Sequence, residues 1–268
     1  MIGIYLSGTG NTRHIIKEFF KALGEEERRL IPVEALMQKV EGDEKIRQEL
    51  LLEAVARTNR VVLAFPTQFS NMPYLIRDFI NKHHELWSGK ELFIITTMGL
   101  FAGDVTGCAA RELQKYGADI LGGLQIQMPD AVCDSRALKK SCTASREIIR
   151  KAEKRVHEAA ASIRLGVFPK EGLTTVAHIC GLFGQRLWFY NKTTGYSNRL
   201  KISDACVGCG LCARNCPTGN LHIENGRVVA GNHCTMCYRC ISHCPTQALT
   251  LLGKKVVDQV MYEKFATQ

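Results

Sequence analysis

The sequence predicts an α/β protein with a doubly wound parallel sheet, followed by a smaller α+β unit. Over residues 1–165, short apolar runs typical of buried strands alternate with segments of helical periodicity. After residue 200, eight of the chain's 12 cysteines fall into two similar runs. A chain of 268 residues, 46% of them hydrophobic, is long and apolar enough for two domains with cores of their own.

The first 165 residues alternate between the two kinds of element. The predicted strands are 2–6, 28–33 (a weaker one), 61–65, 92–97 and 124–128. The predicted helices are 11–23, 43–57, 73–83, 104–116 and 143–165. Repeated β–α units with buried strands favour a parallel sheet covered by helices on both faces. A ligand on such a sheet binds beyond the carboxyl ends of the strands, where the strand order reverses.

The segment "SGTGNTR" at 7–13 directly follows the first predicted strand. Its hydroxyl groups and the free N–H groups of the next helix suit an anion, and Gly8 and Gly10 let the backbone approach it closely. The segment lacks the last glycine of a dinucleotide fingerprint and the lysine of a triphosphate loop. It resembles the phosphate loop of flavodoxins, [Ser/Thr]-x-Thr-Gly-x-Thr. The matching residues are Ser7, Thr9, Gly10, Asn11 and Thr12. An ordinary helix-capping turn is the alternative.

Two further loops follow predicted strands at the same edge of the sheet. "FPTQFSNMP" at 65–73 resembles the loop that lies against the isoalloxazine ring in flavodoxin-like proteins, with matches at Pro66, Thr67, Gln68, Phe69 and Asn71. "TTMGLFAGD" at 96–104 contributes Thr97, Met98, Gly99 and Gly103 to the same expected site. Either loop is also compatible with an ordinary strand-to-helix turn. The resemblance implies FMN, whose single phosphate suits a loop without a lysine.

The two cysteine runs have the same spacing. They are "CVGCGLCARNCP" at 206–217 and "CTMCYRCISHCP" at 234–245, and each fits the C-x2-C-x2-C-x3-C-P run of bacterial ferredoxins. Structural zinc favours two C-x2-C knuckles with a longer spacer, so a third cysteine three residues on fits zinc poorly. Disulfides are less favoured still. The spacing therefore predicts iron–sulfur clusters.

Residues from about 200 to 253 resemble a two-cluster ferredoxin domain, including "CPTGNL" and "CPTQAL" after the two runs. In such ferredoxins the fourth cysteine of each run ligates the other cluster. The resemblance thus implies one [4Fe–4S] cluster on Cys206, Cys209, Cys212 and Cys244. It implies a second cluster on Cys234, Cys237, Cys240 and Cys216. "NG" at 225–226 predicts a hairpin between the two runs.

These patterns predict a flavodoxin-like FMN-binding domain at 1–165, a connecting segment at 166–199, and a ferredoxin domain with a tail at 200–268. Crowded apolar residues in "CGLFGQRLWFYNK" predict a helix that docks one domain on the other; contact with a membrane surface is the alternative. The remaining cysteines are predicted to be packing residues: Cys108, Cys133, Cys142 and Cys180. No ligand role is expected for His14, His83, His84 or His178.

The net charge of +9 lies in the middle of the chain, where residues 134–201 carry 14 basic and 5 acidic side chains. Basic and apolar residues alternate there as in an amphipathic helix with a solvated basic face, and docking of an acidic redox partner is the alternative. We expect no nucleic acid as a partner because no motif for one is present. The opening "MIGIYLSG" does not resemble a signal peptide, and no transmembrane segment is predicted. Twelve cysteines then favour a reducing compartment, the cytoplasm, and oxygen-sensitive clusters favour an anaerobic host.

The whole arrangement resembles flavodoxin–ferredoxin fusion proteins. That resemblance implies an electron-transfer protein that passes electrons between FMN and two [4Fe–4S] clusters, and on to redox partner proteins. One alternative is an FMN-dependent reductase of a small molecule, supplied with electrons by its own clusters. Another is a front domain that has lost its flavin and only docks partners. No catalytic residue is assigned, although Asp104 and Tyr74 are candidate proton donors for the reductase.

Overall fold

The computed structural model describes residues 1–187 and 199–266. Its first unit is built on a five-stranded parallel sheet with strand order β2-β1-β3-β4-β5, which confirms the predicted fold class and its 2-1-3-4-5 order. The strands are β1 Ile2–Tyr5, β2 Leu30–Pro32, β3 Arg60–Pro66, β4 Glu91–Met98 and β5 Asp119–Gln127.

Helices cover both faces of this sheet. They are α1 Asn11–Leu23, α2 Val33–Met37, α3 Gly42–Ala56, α4 Tyr74–Lys82, α5 Val105–Gln114 and α6 Cys142–Arg164. Helices α1 and α6 pack on one face, where Phe19 stacks on Phe93 of β4 with ring centroids 5.4 Å apart. Helices α2 to α5 cover the other face, around a core that includes Trp87. The short helix α2 was not expected from the sequence.

Strand β5 begins at Asp119, earlier than the predicted 124. The glycines at 122 and 123 interrupt its apolar pattern, and the structure shows why they are needed. A Cβ on Gly123 would lie 2.6 Å from the carbonyl oxygen of Glu171, and one on Gly122 would overlap that of Pro169. The Gly123 N–H donates to the Pro169 carbonyl at 2.8 Å. The connecting segment therefore pairs with the edge of the sheet.

The second unit is small and consists of two antiparallel strand pairs and two helical turns. Lys201–Ile202 pairs with Leu249–Thr250, and Leu221–Glu224 pairs with Arg227–Ala230. The second pair is the hairpin that the sequence predicted, and its turn residues Asn225 and Gly226 have φ of 48° and 75°. Each cysteine run contains one helical turn, Leu211–Arg214 in the first run and Arg239–Ser242 in the second.

Two segments outside the predicted first domain pack back onto it. Helix α7, Thr175–Gly181, continues into a π-helical turn at Leu182–Arg186 and contacts the start of α5. The predicted docking helix is thus helical as far as 187, while Trp188, Phe189 and Tyr190 lie outside the described residues. At the chain end, the Tyr262 N–H donates to the Thr9 carbonyl at 2.8 Å.

The four cysteines outside the two runs differ in their surroundings. Cys133 is buried and Cys108 is partly buried, as expected of packing residues. Cys142 and Cys180 are exposed on α6 and α7, so the packing interpretation is wrong for these two. No helix within the described ranges has the length and apolar character needed to cross a bilayer.

We predict that Gly123→Ala lowers the free energy of unfolding by about 1–3 kcal/mol, because the added methyl group meets the fixed backbone at Glu171. The measurement is the midpoint of urea unfolding. Gly231→Ala is the matched control, since a Cβ there meets nothing closer than 3.4 Å. Equal midpoints for the two variants would contradict the proposed role of the close approach.

Candidate functional site

A cavity of about 250 Å³ lies at the carboxyl ends of β1, β3, β4 and β5. This is the edge at which the sequence predicted a ligand, because strand order reverses between β1 and β3. Eleven of the 14 predicted cofactor residues line it: Ser7, Thr9, Asn11, Thr12, Pro66, Thr67, Gln68, Phe69, Thr97, Met98 and Gly99.

The other three predicted residues, Gly10, Asn71 and Gly103, lie off the cavity wall. Gly10 precedes α1 with φ of 88°, and Gly103, with φ of 60°, packs against Gly181 of α7. Asn71 closes the turn that carries Gln68, and the backbone groups of these two residues exchange hydrogen bonds of 2.9 Å. These residues shape the loops rather than the surface of the cavity.

Three polar atoms on the cavity wall have no hydrogen-bond partner among the described residues. They are Ser7 Oγ, Asn11 Oδ1 and Thr67 Oγ1, and all three are buried. A buried polar group without a partner costs about 1–3 kcal/mol, so these atoms indicate a polar ligand. Two of them stand at the start of α1, whose first N–H groups are not used within the helix. The Ser7 and Thr67 hydroxyls and these N–H groups can donate to a phosphate, whereas Asn11 Oδ1 can only accept a hydrogen bond from a ligand.

The 65–73 loop lies between the cavity and the second unit. Phe69 and Ser70 have φ of 50° and 56°, which the tight turn between Gln68 and Asn71 requires. Phe69 lines the cavity and also packs against the hydrophobic core of the second unit. The Gln68 Nε2 donates to the carbonyl of Thr235 at 2.6 Å. This loop therefore holds the cysteine-rich unit against the sheet.

The second unit closes one side of the cavity with Met236, Cys237 and Tyr238. Gly8 touches this loop so closely that a Cβ on it would overlap the carbonyl oxygen of Cys237. The sequence predicted that Gly8 lets the backbone approach a ligand; Gly8 does line the cavity, and it also makes room for the cysteine loop. The buried Tyr238 hydroxyl donates to Asp134 at 3.0 Å and fixes the loop from the other side.

Four cysteines surround a second cavity directly behind this wall. They are Cys216 from the first run and Cys234, Cys237 and Cys240 from the second. Cys237 lines both cavities. The pKa of its thiol is raised to about 12, mainly by burial; the charge of Arg239 opposes this rise, and the charges of Cys234 and Cys216 add to it. Four crowded thiols become thiolates together only around a centre that supplies positive charge.

The other four run cysteines differ in burial: Cys212 and Cys244 are buried, and Cys206 is partly buried. Burial raises the pKa of Cys212, and the charges of Cys244 and Cys206 add to this effect, which places the three near one another. Cys209 is exposed. Within residues 1–187 and 199–266, no three His, Cys, Asp or Glu side chains are grouped as the ligands of a single metal ion would be.

Arg239 links the two units electrostatically. Its guanidinium donates to the Ser7 carbonyl and to Glu34 Oε1, both at 2.7 Å, and to the Asn215 carbonyl at 3.2 Å. The Arg239 and Glu34 side chains are only 18% and 16% exposed. One cation thus joins the expected phosphate loop to both cysteine runs.

The two candidate proton donors have structural partners and lie off the cavity wall. Burial opposes ionisation of Asp104, but hydrogen bonds from His178 and Arg111 and the charge of Arg186 lower its pKa. His178 Nδ1 and Arg111 each lie 2.7 Å from this carboxylate, so they tie α7 and α5 together. The Tyr74 hydroxyl donates to the carbonyl of His233.

Sequence reasoning missed the cavity residues that follow β5. Met128, Pro129 and Asp130 line the wall, and a Cβ on Gly99 would overlap the Asp130 carboxylate. Burial raises the pKa of Asp130, while the Val132 N–H and the charge of Lys140 oppose the rise. Since "MPD" ends the last predicted strand, the rule that locates ligands at strand ends could have found these residues.

Comparison with known families matches residues 199–257 to the 4Fe-4S dicluster domain. No curated protein matches the chain. The first unit thus has the 2-1-3-4-5 strand order of a flavodoxin-like doubly wound sheet, and it is followed by residues that match the 4Fe-4S dicluster domain. This match supports an iron–sulfur redox role for the second unit.

Solved structures similar to the first unit include two flavodoxins. Flavodoxin from Megasphaera elsdenii, in its two-electron reduced state, has 20% identity and a TM-score of 0.39; the match covers 60% of this chain and 99% of that one. Flavodoxin from Fusobacterium nucleatum, bound to flavin mononucleotide, has 14% identity and a TM-score of 0.39, covering 62% and 98%. The Trp repressor binding protein of Bacillus subtilis has 13% identity and a TM-score of 0.42, covering 60% and 96%.

We predict that Arg239→Met weakens the contact between the two units by about 3 kcal/mol, because it leaves the Glu34 carboxylate buried without its cation. Limited proteolysis would then cut between the units faster than in the wild type. Arg227→Met is the matched control, because its ion pair with Asp204 is exposed to solvent. Equal cleavage rates in both variants would contradict a linking role for Arg239.

Proposed function

We propose that this protein is an electron carrier that passes electrons between FMN and two [4Fe–4S] clusters, and on to redox partner proteins. One observation carries the proposal: Cys237 lines both the cavity at the strand ends and the cavity between the four cysteines. A single cysteine residue would then separate a cofactor in the first cavity from a cofactor in the second.

FMN is the proposed occupant of the first cavity. Its phosphate would accept hydrogen bonds from Ser7 Oγ and the first N–H groups of α1, which meets the need of the unpartnered Ser7 hydroxyl. Its ring would lie between the 65–73 loop and Met98–Gly99, where Phe69 offers an aromatic face. When bound, the flavin supplies a centre that exchanges one or two electrons.

The clusters would be held as the resemblance implies. Cys216, Cys234, Cys237 and Cys240 surround one cavity, which supports their assignment to the cluster nearer the flavin. We assign Cys206, Cys209, Cys212 and Cys244 to the other cluster. In the first set one cysteine comes from the other run, which is the exchange found in two-cluster ferredoxins.

The burial of the cysteines suggests an order along the electron path. Cys209 and its neighbour Val207 are exposed, so a partner protein could reach the cluster held by the 206–212 loop. Burial raises the pKa of Cys240, and the charge of Cys212 adds to the rise, which supports a close approach of the two cysteine sets. We therefore propose the order partner, outer cluster, inner cluster and flavin, usable in either direction. We also propose a cytoplasmic location, because cluster ligation needs the eight run cysteines as thiolates in a reducing compartment.

A second candidate is an FMN-dependent reductase of a small molecule, supplied by the two clusters. The observation that favours it is the apolar rim of the cavity, where Leu100 and Phe101 are 64% and 43% exposed. Turnover of a small substrate without a protein partner would support the reductase. Reduction by dithionite, with reoxidation only through a partner protein, would support the carrier.

The cofactor content tests the proposal directly. Protein purified without oxygen should contain about eight iron atoms, about eight acid-labile sulfides and about one FMN per chain. FMN is measured by its release on heating, and the flavin and cluster absorption bands provide a second measurement. Iron and sulfide without FMN would overturn the two-cofactor proposal, and about four iron atoms would leave one cysteine set without a cluster.

We predict that Gly8→Ala slows electron transfer between the clusters and the flavin severalfold. The added methyl group overlaps the Cys237 carbonyl and must push the cysteine loop away from the first unit. The measurement is the rate at which flavin absorbance changes after rapid reduction of the clusters. Gly231→Ala is the control, and both variants are compared at equal FMN and iron content. An unchanged rate in Gly8→Ala would exclude this contact as part of the electron path.

A further inference from the structure

We propose that Asp130 binds a proton when the flavin is reduced, and so couples electron transfer to proton uptake. This inference rests on the proposed function, because it concerns FMN in the first cavity. The residue follows β5 and lies on the cavity wall beside Gly99, which the sequence assigned to the same cofactor.

The Asp130 carboxylate is held in a fixed orientation. Its Oδ1 accepts a hydrogen bond of 2.8 Å from the Val132 N–H, two residues along the chain. Its Oδ2 lies against the Cα of Gly99, where a Cβ would overlap it. A substitution at Gly99 would therefore displace the carboxylate, and the glycine allows the carboxyl group to reach the loop that follows β4.

The charged groups around Asp130 leave it without a direct cation. Lys140, on the 135–140 segment, acts on it only as a more distant charge. Lys139 lies 4.0 Å from Asp258 on the C-terminal segment, and Asp134 accepts the N–H groups of 251–253 and the Tyr238 hydroxyl. Across residues 1–187 and 199–266, no basic group lies within 4 Å of the Asp130 carboxylate. A partly buried carboxylate without a cation beside it takes up a proton readily when negative charge appears next to it.

A proton can reach Asp130 from a second cavity. Asp130 also lines this cavity, together with Ser135, Lys139, Lys140 and Asp258, none of which lines the proposed flavin cavity. Lys139 and Lys140 are exposed at its outer edge. Pro129, Asp130, Val132 and Leu138 line both cavities, and of these four only Asp130 has a side chain that can bind and release a proton.

The proposed step balances as follows. Two electrons leave the clusters, which are each oxidised by one electron, and enter the flavin ring together with one proton from water. The ring then carries one additional negative charge, and the Asp130 carboxylate binds a second proton from water to become a neutral carboxylic acid. By linkage, reduction of the flavin raises the proton affinity of Asp130, and protonation of Asp130 favours reduction.

A redox titration of the complete protein over a series of pH values tests this inference. Between the pKa of Asp130 with oxidised flavin and its pKa with reduced flavin, two protons accompany two electrons. The equilibrium constant for reduction should then fall about 100-fold per pH unit in the wild type and about tenfold in Asp130→Asn, where each factor of ten is about 30 mV for a two-electron couple. Asp258→Asn is the control, because it removes a carboxylate from the outer cavity only.

Infrared difference spectra of the wild type, oxidised against reduced, provide a second measurement that needs no variant. We expect the carbonyl band of a protonated carboxylic acid to appear on reduction and to be absent from Asp130→Asn. Equal pH dependence in the wild type and Asp130→Asn, or no such band in the wild type, would overturn the inference while leaving FMN binding intact. Absence of FMN from the purified protein would instead overturn the proposed function.

Discussion

The contact between Gly8 and the carbonyl of Cys237 is the constraint on which the rest of the arrangement depends. It brings the first strand-to-helix loop of the sheet against the second cysteine run with no side chain between them. Arg239 reinforces it by donating to Ser7 and Glu34, and Gln68 reinforces it by donating to Thr235. Because backbone meets backbone here, the two units cannot shift relative to each other without breaking several hydrogen bonds at once.

Sequence reasoning predicted those parts of the molecule that local patterns determine. The parallel sheet, its order and the Asn225–Gly226 hairpin follow from periodicity, turn chemistry and a resemblance, and the structure confirms them. What it missed depends on partners far apart in the sequence. In the sequence, Gly122 and Gly123 indicate a break in a strand. In the structure they lie within β5, and residues 168–171 pack so closely against them that no side chain fits. Asp130 belongs to no sequence motif that would mark it as a site residue.

The roles of individual basic residues in the 134–201 segment also depend on the fold. The basic middle of the chain suggested a solvated face, yet His178 and Arg186 at its end pair with the buried Asp104. These pairs fix α7 beside the loop that carries Gly103, whose missing side chain admits Gly181. The net charge of a segment therefore did not reveal which of its members act at an interface, because only the fold identifies the opposing carboxylate.

The return of the C-terminal segment to the first loop has a consequence for how the protein is made. Tyr262 donates its N–H to Thr9 and stacks on His14 with ring centroids 3.9 Å apart, while Glu263 pairs with Arg13. The loop after β1 is thus completed by residues about 250 positions later in the chain. The 7–13 loop therefore gains its full set of contacts only after residues 262 and 263 are available, so pairing over a long sequence separation completes this edge of the sheet late in folding.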